Sequence, residues 1–246
     1  MDRALYLAMT GGTQVMSAQA IHANNLANVS TTGFRADFEQ ARSMQINGDY
    51  YPSRVFAMTE NPGTRFDQGA LQQTGRDMDI AIQDKGFIAA LDSTGQEVYT
   101  RAGDLQLTVA GQLITGTGLP VVGIEGPIFL PPVDSLEISE DGTISIIPQG
   151  GDGTQVTALN RIKLVSADPE ELTKSEDGLI RSKNGQPLEQ DNTIQVLSGF
   201  IEGSNVNAVE EMTKIMELAR RFEMNIKIMD TVRNNETASA KILGRN

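Results

Sequence analysis

His22 is the only imidazole in the chain, so it is the only side chain with an ordinary proton affinity near neutrality. Ala18, Gln19, Asn25 and Leu26 lie one helical turn from it. A serine–histidine–carboxylate relay would need distant groups to converge there, and a surface or interface histidine is the simpler reading. Asp77 and Asp79 stand two residues apart, a spacing that puts both carboxylates on one face of a strand. Paired carboxylates are the equipment of glycoside hydrolysis. Nineteen acids in residues 77–199 make such pairs common, and a solvated face accounts for them. Gly116-Thr117-Gly118-Leu119-Pro120 lacks the third glycine of a dinucleotide loop and has proline where a helix should start. Gly150-Gly151-Asp152-Gly153 has no lysine-serine or lysine-threonine sequel, and Ser139-Glu140-Asp141-Gly142-Thr143 lacks the closing glutamate of a calcium loop. All three read as turns. With no cysteine and one histidine, thiolate chemistry, disulfides and multi-histidine metal sites are excluded. No catalytic, metal or cofactor site is expected.

The elements behind these residues fall into three parts. The net charge of −12 is uneven. Residues 1–76 hold six basic and six acidic groups, and residues 200–246 hold seven of each. Residues 77–199 hold seven basic and nineteen acidic groups, with 15 of the 24 glycines and seven of the nine prolines. Two neutral ends therefore flank an acidic, turn-rich centre. The acidic excess argues against a nucleic-acid partner. No apolar run approaches the roughly 18 residues of a membrane span, so membrane insertion is not expected. The N-terminus has no basic cluster followed by a long apolar core, so no cleaved signal is expected.

The N-terminal part reads as a helix over residues 3–28. Leu5, Ala8, Met9, Gly12, Val15, Met16, Ala20, Ala23 and Leu26 recur at three- and four-residue steps behind Asp2 as cap. Gly11-Gly12 weakens the helix but leaves a flat patch for another helix. From Phe34 to Gly75 no period is sustained, and Pro52 and Pro62-Gly63 predict extended or irregular chain. The C-terminal part carries the strongest signal. Asn207 with Glu210 forms a capping-box pattern, and Met212, Ile215, Ala219, Phe222, Ile226 and Met229 continue a 3-4 step. A helix over residues 208–243 is about 54 Å long, a length that favours coiled-coil packing. The N-terminal helix is its obvious partner.

The centre reads as β. Met78, Ile80 and Ile82 alternate, as do Leu105, Leu107 and Val109, then Leu136 and Ile138, and Ile144 and Ile146. Asp141-Gly142, Asp177-Gly178 and Asn184-Gly185 supply hairpin turns. The fold class expected is α+β. Two long terminal helices pair in coiled-coil fashion and flank a central antiparallel, sandwich- or barrel-like module. The domains expected are 1–35, a helix and signature loop; 36–76, an extended connection; 77–199, the acidic β module; and 200–246, the long helix.

The two ends carry a family resemblance. Asn24-Asn25-Leu26-Ala27-Asn28-Val29-Ser30-Thr31-Thr32-Gly33-Phe34-Arg35 resembles the N-terminal signature of the bacterial flagellar rod and hook proteins. Gly203-Ser204-Asn205-Val206-Asn207 before the long helix resembles their C-terminal signature, and Tyr99-Thr100-Arg101-Ala102-Gly103 is similar to an element at the start of their β module. The runs Met1-Asp2-Arg3-Ala4-Leu5-Tyr6 and Ala219-Arg220-Arg221-Phe222-Glu223-Met224 are similar to those of proximal-rod subunits. The resemblance implies a structural subunit with no enzymatic activity. It would leave the cell unfolded through the flagellar type III export apparatus and join other rod subunits in the shaft crossing the periplasm. It also implies terminal helices in an inner, tube-forming layer and a β module facing outward. The residues expected to pack on partners are Leu5, Met9, Met16, Leu26, Met212, Ile215, Phe222, Ile226 and Met229. Those expected to set turn and cap geometry are Asn25, Asn28, Gly33, Asn205 and Asn207. The terminal segments are expected to order on assembly. The competing readings are a sibling axial subunit, such as the distal rod, and a carbohydrate-active β protein.

Overall fold

The structure is a computed structural model that describes residues 2–45, 55–148, 156–175 and 177–244. Pro52 and the turn read at Gly150-Gly151-Asp152-Gly153 lie outside the described residues. The chain divides into two compact units.

The first unit comprises residues 1–29, 36–65 and 206–246. Helix α1 runs Asp2–Ala27 and helix α2 Ala208–Leu243. Asn207 caps α2: its side chain accepts from the Val209 and Glu210 backbone N–H groups, satisfying two donors of the first turn. Glu210 and Glu211 sit at the positive end of the helix, and Glu210 accepts from Lys214 one turn on at 2.6 Å. The two helices pack antiparallel, with His22 against Glu211 near one end of the pair and Gly11 against Asn225 farther along. Where the sequence shows no period, strands β1 (Asp37–Gln45) and β2 (Val55–Thr64) pair antiparallel from Asp37↔Thr64 to Gln45↔Val55. Both pack beside α1.

The second unit comprises Ser30–Arg35 and Phe66–Asn205, and all of its strand pairs are antiparallel. A five-stranded sheet runs in the order Leu164–Val165, Phe87–Leu91, Glu97–Thr100, Ile180–Ser182, Leu172–Lys174. A three-stranded sheet joins Val133–Ile138, Thr143–Pro148 and Thr157–Arg161. The period-2 signal is clearest there: Leu136 faces Ile146 and Ile138 faces Ile144, all four in the core. Asp141-Gly142 turns the chain between those strands. Gly142 has φ +81°, and Asp141 accepts from the Thr143 N–H and hydroxyl. This is a turn stabilised by its own side chain.

Two strand readings need correction. Ile80–Ile82 does not alternate between core and water, because Ala81 is buried as well as Ile80 and Ile82. The strand starting at Leu105 ends at Leu107, and Val109 projects fully exposed from the turn closed by Gly111 N–H donating to Thr108 O. An apolar residue at the right interval cannot extend a strand past its turn.

Candidate functional site

The helix pair buries a seam. Ala8, Gly12, Ala18, His22 and Asn25 are buried on α1 and Glu211 and Leu218 on α2, with Gly11, Val15, Ile215, Phe222, Asn225 and Met229 half-buried beside them. The α2 set from Glu211 to Met229 alternates steps of four and three, a mean period of about 3.5. Small residues bring the helices close: a Cβ added at Gly12 would meet the Phe222 ring at 3.7 Å, and one at Gly11 the Asn225 side chain at 3.4 Å. His22 is buried, its Nδ1 2.5 Å from Glu211 Oε2. Asn25 clamps α1 to the start of β1, donating from Nδ2 to Asp37 O at 2.7 Å and accepting from Asp37 N at 2.9 Å. Asn28 donates from its side chain to Asn24 O at 2.9 Å, satisfying a last-turn carbonyl.

The residues expected at partner surfaces divide between seam and solvent. Phe222 packs over Gly12 of α1, and Ile215, Met229 and Leu26 are half-buried. Leu5 and Ile226 are exposed, as are Met9 (51%), Met16 (57%) and Met212 (53%). Tyr6, Leu7, Met216, Met224 and Ile228 are exposed with them. Each helix thus carries more apolar surface than its seam consumes.

The second unit holds a buried ionic clasp. Glu202 is fully buried. Its Oε2 accepts from Arg101 Nη1 at 2.9 Å, and its Oε1 accepts from Gly69 N at 2.8 Å and lies 2.6 Å from Arg35 Nη2. Arg101 also donates to Asp84 O at 2.6 Å and lies over the Phe87 ring. Burial pulls the Arg101 guanidinium below its ordinary range; the Glu202 charge opposes this and the Arg35 charge adds to it. Gly33 donates to Glu202 O at 2.8 Å with φ +68°, and a Cβ there would lie 2.3 Å from the Arg101–Ala102 peptide. Only glycine fits. Asn205 donates from its backbone to Phe34 O at 3.3 Å and from its side chain to Asp67 O at 3.0 Å. Lys174 donates to Arg35 O at 2.8 Å and stands 4.1 Å over the Phe34 ring.

Three stretches far apart in sequence therefore meet at one point: Gly33-Phe34-Arg35, Arg101-Ala102 and Glu202 with Asn205. The sequence singled out Gly33 and Asn205 but not the ionic core between them. Glu202 had one signal, a lone acid after the apolar pair Phe200-Ile201. The His22–Glu211 pair had none, because the two residues are 189 positions apart.

The candidate catalytic groups do not assemble. Asp77 is exposed in a turn while Asp79 is buried, so they do not present a pair to solvent. The Asp79 backbone pairs antiparallel with that of Asp104, and its carboxylate lies 3.4 Å from Arg76 Nη1. Among the described residues no three histidine or acidic side chains group as metal ligands, and no helix is long and apolar enough to cross a membrane.

Comparison with known proteins gives matches along the chain. Residues 5–35 match the flagella basal body rod protein family model, 81–146 the flagellar hook protein FlgE/F/G D1 domain, and 197–242 the flagellar basal body rod FlgEFG protein C-terminal model. The flagellar basal-body rod protein FlgF of Escherichia coli is 39% identical over 99% of this chain and 99% of that protein. FlgF of Caulobacter vibrioides is 31% identical over 100% and 99%. The rod protein FlgG of Bacillus subtilis is 31% identical over 94% and 95%.

Proposed function

The chain belongs to the flagellar basal-body rod protein family, and from that premise we propose that it polymerises with other axial subunits through the exposed faces of α1 and α2 to carry torque. It is a FlgF-like structural subunit of the rod, a role outside any enzyme class. The observation that carries the proposal is the apolar surface left over on the helices. Leu5, Met9, Met16, Met212 and Ile226 stay exposed although each helix already has a partner in the seam. A helix that displays a second apolar stripe has a second partner to meet. Assembly into a shaft needs a head-to-tail contact between unlike surfaces, which two different helix faces supply. Coiled-coil packing of the helices belongs to the same reading.

The remainder of the proposal concerns the route and the place. The subunit passes through the flagellar type III export apparatus, and the rod it joins crosses the periplasm. Its terminal helices order fully on assembly. FlgG relatives make a sibling position in the rod the second reading. Deleting the gene and finding where basal-body assembly stops separates the two: arrest in the proximal rod supports the FlgF-like position, and arrest after a complete proximal rod refutes it. In the deletion strain, restoring motility with a Met9→Asp, Met212→Asp chain would refute the helix-face contact.

A further inference from the structure

The clasp is unbalanced. It holds two guanidinium groups and one carboxylate, all with side chains at least nine-tenths buried. The two arginines are not equivalent. Arg101 makes directed hydrogen bonds to Glu202 and Asp84 O, leaving only Nε without an acceptor. Arg35 reaches Glu202 through Nη2 alone, 2.6 Å from Oε1, and its Nε and Nη1 have no acceptor. A buried donor without an acceptor carries its full desolvation cost, and a charged one carries more. Asp84, the other carboxylate acting on Arg101, is itself exposed.

Removing Arg35 from this arrangement leaves it satisfied. Glu202 would keep the Arg101 hydrogen bond and the Gly69 N–H, one cation facing one anion. The residues that bring Arg35 in are Ser30–Arg35, a short piece of the second unit whose chain neighbours on both sides belong to the first. The hydrogen bonds that hold this piece include two between main chains, Gly33 N to Glu202 O and Asn205 N to Phe34 O, and one from a side chain, Lys174 Nζ to Arg35 O. Lys174 also covers the Phe34 ring. These contacts and the Arg35–Glu202 ion pair favour docking, and the surplus buried positive charge opposes it.

We propose that residues 30–35 are a strap that opens and closes on the β module as a unit, with the surplus buried charge that Arg35 brings holding it close to balance. The carboxylate it docks on is satisfied in both positions, the property a reversible latch requires. Opening returns Arg35 to water without unfolding a strand. The strap is a low-stability local unit on a stable module. The inference rests on the clasp geometry alone, so it stands or falls separately from the rod assignment.

The test is residue-resolved amide hydrogen exchange by NMR on the full-length purified chain. The Gly33 amide reports the strap, and the Ala89 amide, bonded to Lys163 O at 3.0 Å, reports the module. In the native chain Gly33 exchanges faster than Ala89. Arg35→Met removes the surplus charge and keeps the length of the side chain, and it slows Gly33 exchange by about tenfold with Ala89 unchanged. Arg35→Lys keeps the charge and gives no slowing. Phe34→Ala removes the ring under Lys174 and speeds Gly33 alone. If Arg35→Met fails to fold, Arg35→Gln makes the same measurement, being uncharged and still able to donate to Glu202. Faster or unchanged Gly33 exchange in the neutral variant overturns the proposal, because Arg35 would then hold the strap down. Equal exchange of Gly33 and Ala89 in the native chain also overturns it, because the strap would open only with the module.

Discussion

Glu202 and Gly33 show how a side chain and the lack of one serve the same junction. Replacing Glu202 with glutamine leaves two buried guanidinium groups without their counter-charge, so Glu202→Gln should lower stability by about 3–5 kcal/mol in urea unfolding. Gly33→Ala puts a Cβ into the Arg101–Ala102 peptide at positive φ, and should cost more than the ~1 kcal/mol of backbone strain alone. Asp104 gives a pH prediction. Burial, and then the Asp79 charge, push its carboxyl above the usual aspartate range. The native state therefore binds this proton more readily than the unfolded chain. The Asp104 contribution falls as pH rises through the native titration range, and is recovered on acidification toward the unfolded one. Asp141 and Asp177 are held below the usual range by bonds from Thr143 and Arg181, so they act with the opposite sign. The comparison to make is Asp104→Asn against the native chain. The variant should be more stable at neutral pH, and the difference should shrink as pH falls. A constant difference across the range would contradict this. Gly33 and Asn205 could be picked out in the sequence because turn chemistry is local. The clasp could not, because an ion pair between residues 35, 101 and 202 leaves no periodic trace.

Among the elements, the helices were legible to within a residue or two at each end, and the seam only in part. The apolar stripe read on α1 took in Met9 and Met16, which the structure leaves in solvent, and omitted His22 and Asn25, which it buries. The cause is chemical. Two polar residues can occupy seam positions when their partners, Glu211 and the Asp37 backbone, arrive from elsewhere in the chain. The sequence reads β1 and β2 only as extended or irregular chain, because register and pairing are set by a partner strand and not by a local period. The seam makes two predictions. At Gly12 a Cβ has ordinary contact with Phe222, so Gly12→Ala should stabilise the monomer by about 0.5–1 kcal/mol through helix propensity. Loss of motility in that stabilised variant would place the need for glycine at a contact between subunits. Phe222→Asp should lower helical circular dichroism and abolish assembly, while the β module keeps its own melting transition. A joint loss of both signals would show that the units do not fold separately.

At the scale of the molecule, charge and apolar surface are distributed in complementary ways. Residues 1–76 and 200–246 are each neutral, and the whole net charge of −12 falls on the span that contains most of the β module. Neutral helices that keep exposed methionines can approach copies of themselves without like-charge repulsion, and methionine adapts to irregular gaps between helices. The same methionines give a direct measure of assembly. A thioether in water is oxidised to a polar sulfoxide, and one packed between helices is protected. Met9, Met16, Met212, Met216 and Met224 are exposed in the single chain, whereas Met78 packs against the β core. Brief peroxide treatment of the purified monomer, read by peptide mass spectrometry, should oxidise the five helix methionines well ahead of Met78. The same treatment of isolated basal bodies should spare those that the rod covers. Monomer oxidised beforehand should fail to assemble, because a sulfoxide buried between helices is a polar group without a partner. Equal oxidation of the helix methionines in monomer and basal body would place them outside the subunit contacts, and the torque-carrying surface would then have to lie on the β module.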